Sequence, residues 1–427
     1  MGKHGRNRRV LGLAVAAIAA IACAVAPASA AATEAFFEPT AGAMVENREA
    51  PAAAPLPGGK VLLAGGLVLF TGTYLDNAEV FASSSGTFSA VAATMTVPRR
   101  AAGAAALPGG DVLIVGGRNE GEYLASAEIF GSESETFSVT GSMSAPRSGP
   151  AVAALPDGRV LVAGGSEGLE GPLASAEIYD PESGEFAPTG APVLARENAG
   201  AAVLPDGRIL ITGGLGTSGT LKSAEIFDPE TETFSATGSM TKSGYGPAAP
   251  LPDGTAVFFS QEFLQIFNSA SESFTKPALA ALPRTGEVAV PLSGARVLVA
   301  AGRKVPGGPP FPKTQPMIYV SAPSPVGKGI DFGKVPVAET SGPETLTITN
   351  KGAQALEIEA ASLTGPDAAE FEIVADGCSG ETLAFGAACS LKISVTPASA
   401  GSLSASLQLV DNAPTSPQSF ALSAKAE

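Results

Sequence analysis

Leu155-Pro156-Asp157-Gly158-Arg159-Val160-Leu161-Val162-Ala163-Gly164-Gly165 is followed by Ala176-Glu177-Ile178-Tyr179 and then by Glu185-Phe186, and this order recurs along the chain. A Gly-Gly pair ends an apolar run at Gly65, Gly116, Gly164 and Gly213, at spacings of 51, 48 and 49 residues. Leu-Pro-Gly-Gly or Leu-Pro-Asp-Gly precedes each pair, at Leu56, Leu107, Leu155 and Leu204, and Ala-Glu-x-Phe/Tyr follows, at Ala78, Ala127, Ala176 and Ala224. A further Phe closes each unit, at Phe88, Phe137, Phe186 and Phe234. Two weaker units continue the series from Leu251-Pro252-Asp253-Gly254 and from Leu292-Ser293-Gly294. The Gly-containing dipeptides suit two-residue hairpins, because Gly tolerates positive φ. Runs such as Val-Leu-Val-Ala, apolar at every position, predict strands covered on both faces. Four short strands per unit of this length predict propeller blades, each burying its faces against its neighbours.

The sixth unit stops at Tyr319 without its Phe-containing last strand, while Phe36-Phe37-Glu38-Pro39-Thr40 stands unattached at the other end. We expect this segment to complete the last blade, since an open ring leaves unpaired strand edges.

The first residues combine the basic Lys3, Arg6, Arg8 and Arg9, an apolar run from Val10 to about Ala26, and Ala28-Ser29-Ala30. This predicts a secretory signal peptide over residues 1–30 and an extracellular protein. The run is shorter than the ~20 residues of a spanning helix, and no membrane insertion is expected. Removing those four positive charges from a formal charge of −15 leaves −19, which disfavours nucleic acid as a partner. The only histidine, His4, goes with the signal, so Ser-His-Asp, Cys-His and His-ligated metal chemistry are excluded from the remainder. No cofactor or metal is expected. Cys378 and Cys389 remain and predict a disulfide in an exported chain.

Beyond Pro323-Ser324-Pro325 the pattern alternates, as in Leu346-Thr-Ile-Thr, Leu356-Glu-Ile-Glu and Leu391-Lys-Ile-Ser-Val, which predicts a β-sandwich. The fold class is therefore all-β: a six-bladed propeller over residues 31–321 and a sandwich over residues 322–427.

The recurrent Gly-Gly, with Tyr179-Asp180-Pro181 and Phe227-Asp228-Pro229, resembles the kelch family over about residues 33–320. Ile330-Asp-Phe-Gly, Thr349-Asn350-Lys-Gly352, Leu363-Thr-Gly365 and Cys378-Ser-Gly380 resemble the choice-of-anchor D domains, immunoglobulin-like modules related to the Hydin-type sandwich. Galactose oxidase shares kelch repeats and an added sandwich, but its copper site requires two histidines, and this chemistry does not carry over.

Arginine recurs eight positions before the hairpin Leu, at Arg48, Arg99, Arg147, Arg196 and Arg284, with Ser243 in unit five. Resemblance to kelch adaptors implies that such arginines can face an anionic ligand at the mouth of the ring, where the guanidinium fork accepts carboxylate or sulfate. The competing reading pairs each with the Glu of its own unit: Glu79, Glu128, Glu177 and Glu225. Unit five has Gln265 there and has lost both partners together, as a buried ion pair tends to do. Unit six has Met317, so Arg284 lacks an in-unit partner. The loops after Gly-Gly differ most between units and carry Tyr74, Tyr123 and Phe311, which makes them candidates for recognition. Asp157, Asp206 and Asp253 are explained by their turns, without a calcium role.

These features predict a non-catalytic, monomeric, extracellular binding or adhesion protein that takes a glycan or protein surface. The alternatives are a polysaccharide-acting enzyme with a carboxylate pair and a structural component of the cell envelope.

Overall fold

The computed structural model describes residues 36–260, 263–275, 284–304, 316–414 and 416–427, and for residues 36, 284–286 and 303–304 the backbone alone. The expected signal peptide and Phe311 lie outside the described residues. Among the described residues no helix is long and apolar enough to cross a membrane.

Six four-stranded antiparallel sheets are present among the described residues, besides those of the C-terminal sandwich. The third is typical: Ala151–Ala154, Val160–Ala163, Ala176–Asp180 and Glu185–Pro188 lie in that order from inside outward. The last blade takes Arg284–Leu292, Arg296–Lys304 and Met317–Val320 from one end of the repeat region and Phe36–Pro39 from the other, with Phe37 opposite Tyr319.

The uniformly apolar second strands are explained by their two neighbours. Val112 and Ile114 pack with Leu62 and Val80 of the first blade. Leu113 and Val115, on the other face, pack with Val160, Val162 and Tyr179 of the third. The same sharing recurs between every pair of consecutive blades and joins Leu298 and Ile318 of the last to Val61, Leu63 and Phe81 of the first. Each blade interface is thus a small core of its own, driven by removal of apolar surface from water. In all six blades the Phe or Tyr of the third strand also packs on the Phe of the fourth, as in Tyr179–Phe186 at 4.8 Å and, in the last blade, Tyr319–Phe37 at 5.6 Å.

The C-terminal region is a two-sheet sandwich. One sheet orders Pro325–Gly327, Glu344–Asn350, Ala388–Val395 and Phe371–Asp376. The other orders Ile330–Val335, Gln418–Ala426, Gly401–Asp411, Leu356–Thr364 and Thr382–Leu383. Alternate residues such as Leu346, Ile348, Leu391, Ile393, Leu407 and Leu409 fill its core, and Cys378 and Cys389 form a disulfide. Asn350 ties the linker down. Its Oδ1 accepts from the amides of Ser324 and Gly352, and its Nδ2 donates to the carbonyls of Gln354 and Leu383.

Candidate functional site: the loop face of the propeller

Strand order determines what each face of the ring presents. In an antiparallel four-stranded blade, the hairpins joining strands one to two and three to four lie at one face. The loops joining strands two to three and the connections between blades lie at the other. The first we call the turn face. It is stapled by ion pairs: Arg159 Nε to Asp157 at 2.7 Å and Nη1 to Glu232 of the next blade at 2.8 Å, repeated by Arg208 with Asp206 and Glu272. Asp157, Asp206 and Asp253 also accept the amides two residues on, within their turns. The second face, the loop face, holds the post-Gly-Gly loops and the recurrent arginines.

Arg48, Arg99, Arg147 and Arg196 do not reach solvent; each is at most 3% exposed. The structure therefore corrects the expectation of a ligand-facing anion mouth for these four. They run into the blade and make a repeated clamp. In the third blade, Arg147 Nη1 donates to the carbonyls of Gly164 and Ser175, both at 2.9 Å, and Nη2 donates to Ser175 Oγ and to Glu177 Oε1 at 3.1 Å. The other oxygen of Glu177 accepts the amide of Ser144, three residues before the arginine. Arg48–Glu79, Arg99–Glu128 and Arg196–Glu225 repeat the arrangement, with the amides of Val45, Thr96 and Val193 on the carboxylates. The clamp satisfies carbonyls that the Gly-Gly turn leaves inside the blade. Burial lowers the pKa of Arg48 and Arg99, and the adjacent Glu79 and Glu128 oppose that shift.

Gly-Gly is required one step further out. The amide of Gly117 donates to the carbonyl of Arg147 at 2.8 Å, and Gly66, Gly165 and Gly214 make the same bond to the following blade. Gly116, at φ +66, lies so close that a β-carbon there would stand 2.3 Å from the Arg147 oxygen. The last blade places Ala301 at this station, with φ 65, and Gly302 donates to the carbonyl of Arg48.

Gly214 of unit four donates to Gly244 of unit five, where the other units offer an arginine, and Gly244 donates to Leu221 as the arginines donate to Leu75, Leu124 and Leu173. Gly244, not Ser243, is therefore the arginine's counterpart; unit five is one residue shorter between this station and its hairpin, so counting back from the hairpin misplaces it. The rings of Phe258 and Phe263 occupy the space beside Gly244, and Gln265 replaces the glutamate, donating to Thr241 Oγ1 and the Thr275 carbonyl. Arg284 keeps the backbone register of the series, since Thr285 faces Arg303 as Glu49 faces Leu67; its side chain lies outside the described residues.

Above the clamps the blades are linked around the mouth by a backbone girdle. Ala101 donates to the carbonyl of Ala50 at 2.7 Å, Gly149 to Ala101 at 2.7 Å, Asn198 to Gly149 at 2.8 Å, and Gly246 to Asn198 at 3.2 Å. Ala50, Ala101 and Asn198 hold φ near +50° to do so, a conformation costly for residues with a β-carbon. Glu49, Arg100, Asn198, Tyr245 and Glu287 line a mouth cavity of about 350 Å³. Beneath it a channel of about 290 Å³ is lined mainly by Ala, Pro, Gly and Val of the innermost strands. Beside the mouth, burial raises the pKa of Glu197, against the opposing effects of a hydrogen bond from Ser166 and the charge of Arg118. Among the described residues no group of three or more His, Cys, Asp or Glu is placed to hold a metal ion.

The loops rise around this mouth. Tyr74 pairs with Leu67 across a short hairpin and is partly exposed. Tyr123 lies under the guanidinium of Arg118 at 5.9 Å and against Gly168 of the next blade. The strongest exposures belong to residues that sequence reasoning passed over: Phe70 and Leu169, at 94% and 108%. Both lie in the post-Gly-Gly loops that the sequence marks as variable, but their individual exposure follows from the turns that carry them.

No curated protein matches the sequence. The Kelch motif matches residues 146–188 and 198–241, the third and fourth blades, and the HYDIN/CFA65/VesB-like, Ig-like domain matches residues 327–427. Both are typically non-catalytic, and their combination points to a protein-interaction module. The chain carries Kelch motifs followed, at its C-terminus, by a HYDIN/CFA65/VesB-like, Ig-like domain.

Proposed function

We propose that the chain is an exported, non-catalytic, monomeric binding protein whose propeller recognises a partner through its loop face, while the sandwich supports or tethers it. The observation that carries this reading is a contrast within each blade. The Arg–Glu clamp is repeated in four blades and buried, whereas the loops seated on it differ in length and sequence and expose Tyr74, Phe70 and Leu169. A rigid frame with variable loops is the usual arrangement for recognition. A protein surface is the favoured partner, because kelch repeats suggest protein binding. A glycan remains the second ligand class.

One specific observation favours a different reading. Glu49 and Glu287 both line the mouth cavity, and Glu197 beside it has a raised pKa, as a carboxylate-based polysaccharide-acting enzyme would need. A glycan array, followed by product analysis, separates the two readings. Binding without turnover, altered by loop-face but not turn-face substitutions, supports recognition. Released oligosaccharide, abolished by Glu49→Gln or Glu287→Gln, overturns it in favour of catalysis.

A further inference from the structure

Three successive loops on the loop face present an ordered relief. In the first blade, Gly72 donates to the carbonyl of Val68 at 2.8 Å and Thr71 Oγ1 bonds Thr73 Oγ1 at 2.7 Å, closing a turn whose tip is Leu69-Phe70. In the third, Gly171 donates to the Gly168 carbonyl at 3.1 Å and lifts Leu169-Glu170 into solvent. A β-carbon at Gly168 would be crowded by the ring of Tyr123 of the second blade, 3.0 Å from its place, and Gly168 holds φ +102. The second blade's loop lies between these two in ring order, and its own turn is closed by Asn119, whose Oδ1 accepts the amides of Gly121 and Glu122. The tip of that turn is Glu120-Gly121-Glu122, all three exposed.

The sequence of surfaces is therefore apolar, acidic, apolar. Glu167 and Glu170 add negative charge beside Leu169 in sequence, and Arg118, in the second blade's loop, is stacked on Tyr123. Large apolar side chains held in solvent by hydrogen-bonded turns lose little conformational freedom when they dock, as binding anchors require. A surrounding carboxylate field repels anionic surfaces and attracts basic ones.

We infer that the tips of the first three loops dock a protein that offers two apolar pockets flanking a lysine- or arginine-rich ridge. Phe70 and Leu169 fill the pockets, and Glu120 and Glu122 meet the ridge. This rests on the loop face being the recognition surface and adds the chemistry of its partner.

The test uses the chain from Ala31 to Glu427 and two synthetic peptides. One carries leucine pairs flanking a run of lysines; the other has glutamates in place of the lysines. Fluorescence anisotropy at low and raised salt reads their affinities. The lysine peptide is expected to bind at least about ten-fold more tightly than the glutamate peptide. The double variant Phe70→Ser with Leu169→Ser, which alters no charge, is expected to lose about ten-fold. Glu120→Gln with Glu122→Gln is expected to weaken binding and flatten its salt dependence. Equal affinity of the serine variant and the parent, or preference for the glutamate peptide, overturns the inference. So does binding to phosphatidylcholine vesicles that the serine variant abolishes, which would assign the tips to a lipid surface. If a different ligand binds and the serine variant loses it, the partner chemistry fails and the loop face stands. If that ligand's binding is untouched by both double variants, the recognition reading of these loops fails as well.

Discussion

Arg147 and Gly116 meet across a blade boundary. The arginine's carbonyl oxygen would lie 2.3 Å from a β-carbon on the glycine, while its guanidinium is turned back into its own blade to hold Glu177. One residue thus sets both the spacing between two blades and the internal order of one. Breaking the guanidinium half of this arrangement leaves a buried carboxylate without its cation, which costs about 3–5 kcal/mol. We expect Arg147→Ala to lower stability by that order in urea unfolding. Arg147→Met combined with Glu177→Leu is expected to lose much less, because a matched apolar pair removes the uncompensated charge. Unit five shows the charge-free version, with Phe258 and Phe263 beside Gly244 and the neutral Gln265 in the glutamate's place. A double variant as unstable as the single one would show that the clamp acts through the carbonyls of Gly164 and Ser175 rather than through charge pairing.

The backbone half is tested by exchanging glycine and alanine at equivalent stations. Gly116→Ala forces a β-carbon against a backbone oxygen at positive φ and is expected to cost about 2–4 kcal/mol. Ala301→Gly, in the blade that already carries alanine at φ 65, is expected to gain about 0.5–1 kcal/mol, the left-handed penalty less glycine's extra chain entropy. Thermal unfolding of both variants checks the pair. Destabilisation by Ala301→Gly would mean that the alanine methyl packs favourably enough to outweigh its backbone strain.

These contrasts show which parts of the molecule could be read from sequence. Gly-Gly, the Asp-Gly hairpins and the shared apolar strands are local signals repeated in register, so the kelch repeats were legible, as were the alternation and paired cysteines of the Ig-like domain. The in-unit pairing of Arg147 with Glu177 was legible because unit five lost both partners. The one-residue shortening that puts Gly244, and not Ser243, at the arginine's station was invisible when counting from the hairpin. The girdle was equally hidden, since alanine at positions 50 and 101 gives no sign of positive φ. Phe70 and Leu169 fall in loops the sequence marks as variable, but only the turns that lift them show that they, rather than Tyr74 or Tyr123, are the exposed tips.

Glu197 provides a pH-dependent test of the mouth. Burial raises its pKa above 4.5, so the folded state holds this proton more tightly than the unfolded chain. Its contribution is thus fully present below 4.5 and is lost as pH rises through the folded value. Glu197→Gln cannot ionise and escapes that loss. The variant is expected to melt above the parent at neutral pH, with the difference shrinking as pH falls towards 4.5. A difference independent of pH would assign the effect to the hydrogen bond with Ser166.

The bridge in the Ig-like domain predicts a local effect. Cys378 and Cys389 are separated by 11 positions, and closing a loop of that length is worth roughly 3 kcal/mol by chain entropy. Replacing both cysteines by alanine is expected to lower the unfolding transition of residues 325–427 by that order and to leave hydrogen exchange in the third blade unchanged. Loss of protection in the propeller as well would show that the two regions unfold as one unit.

Phe37 tests how the ring is closed. Its ring lies 5.6 Å from Tyr319 and 6.4 Å from Phe259 of the preceding blade, so one side chain joins the end strand both to its own sheet and to a blade interface. The surroundings are dry enough for burial to push the Tyr319 hydroxyl up to about 12, with Asp253 adding to the shift. Deleting residues 36–40 removes the outer partner of Met317–Val320 and turns that strand into a free edge, open to pairing with another chain. The deletion is expected to elute as higher oligomers on gel filtration and to speed amide exchange in Met317–Val320 first. Phe37→Ala keeps the backbone pairing and removes only the ring, so it is expected to remain monomeric with a loss of about 3–5 kcal/mol at most, since Phe37 is only partly buried. A deletion that stayed monomeric with unchanged exchange in Met317–Val320 would mean that the ring holds through its apolar blade interfaces alone.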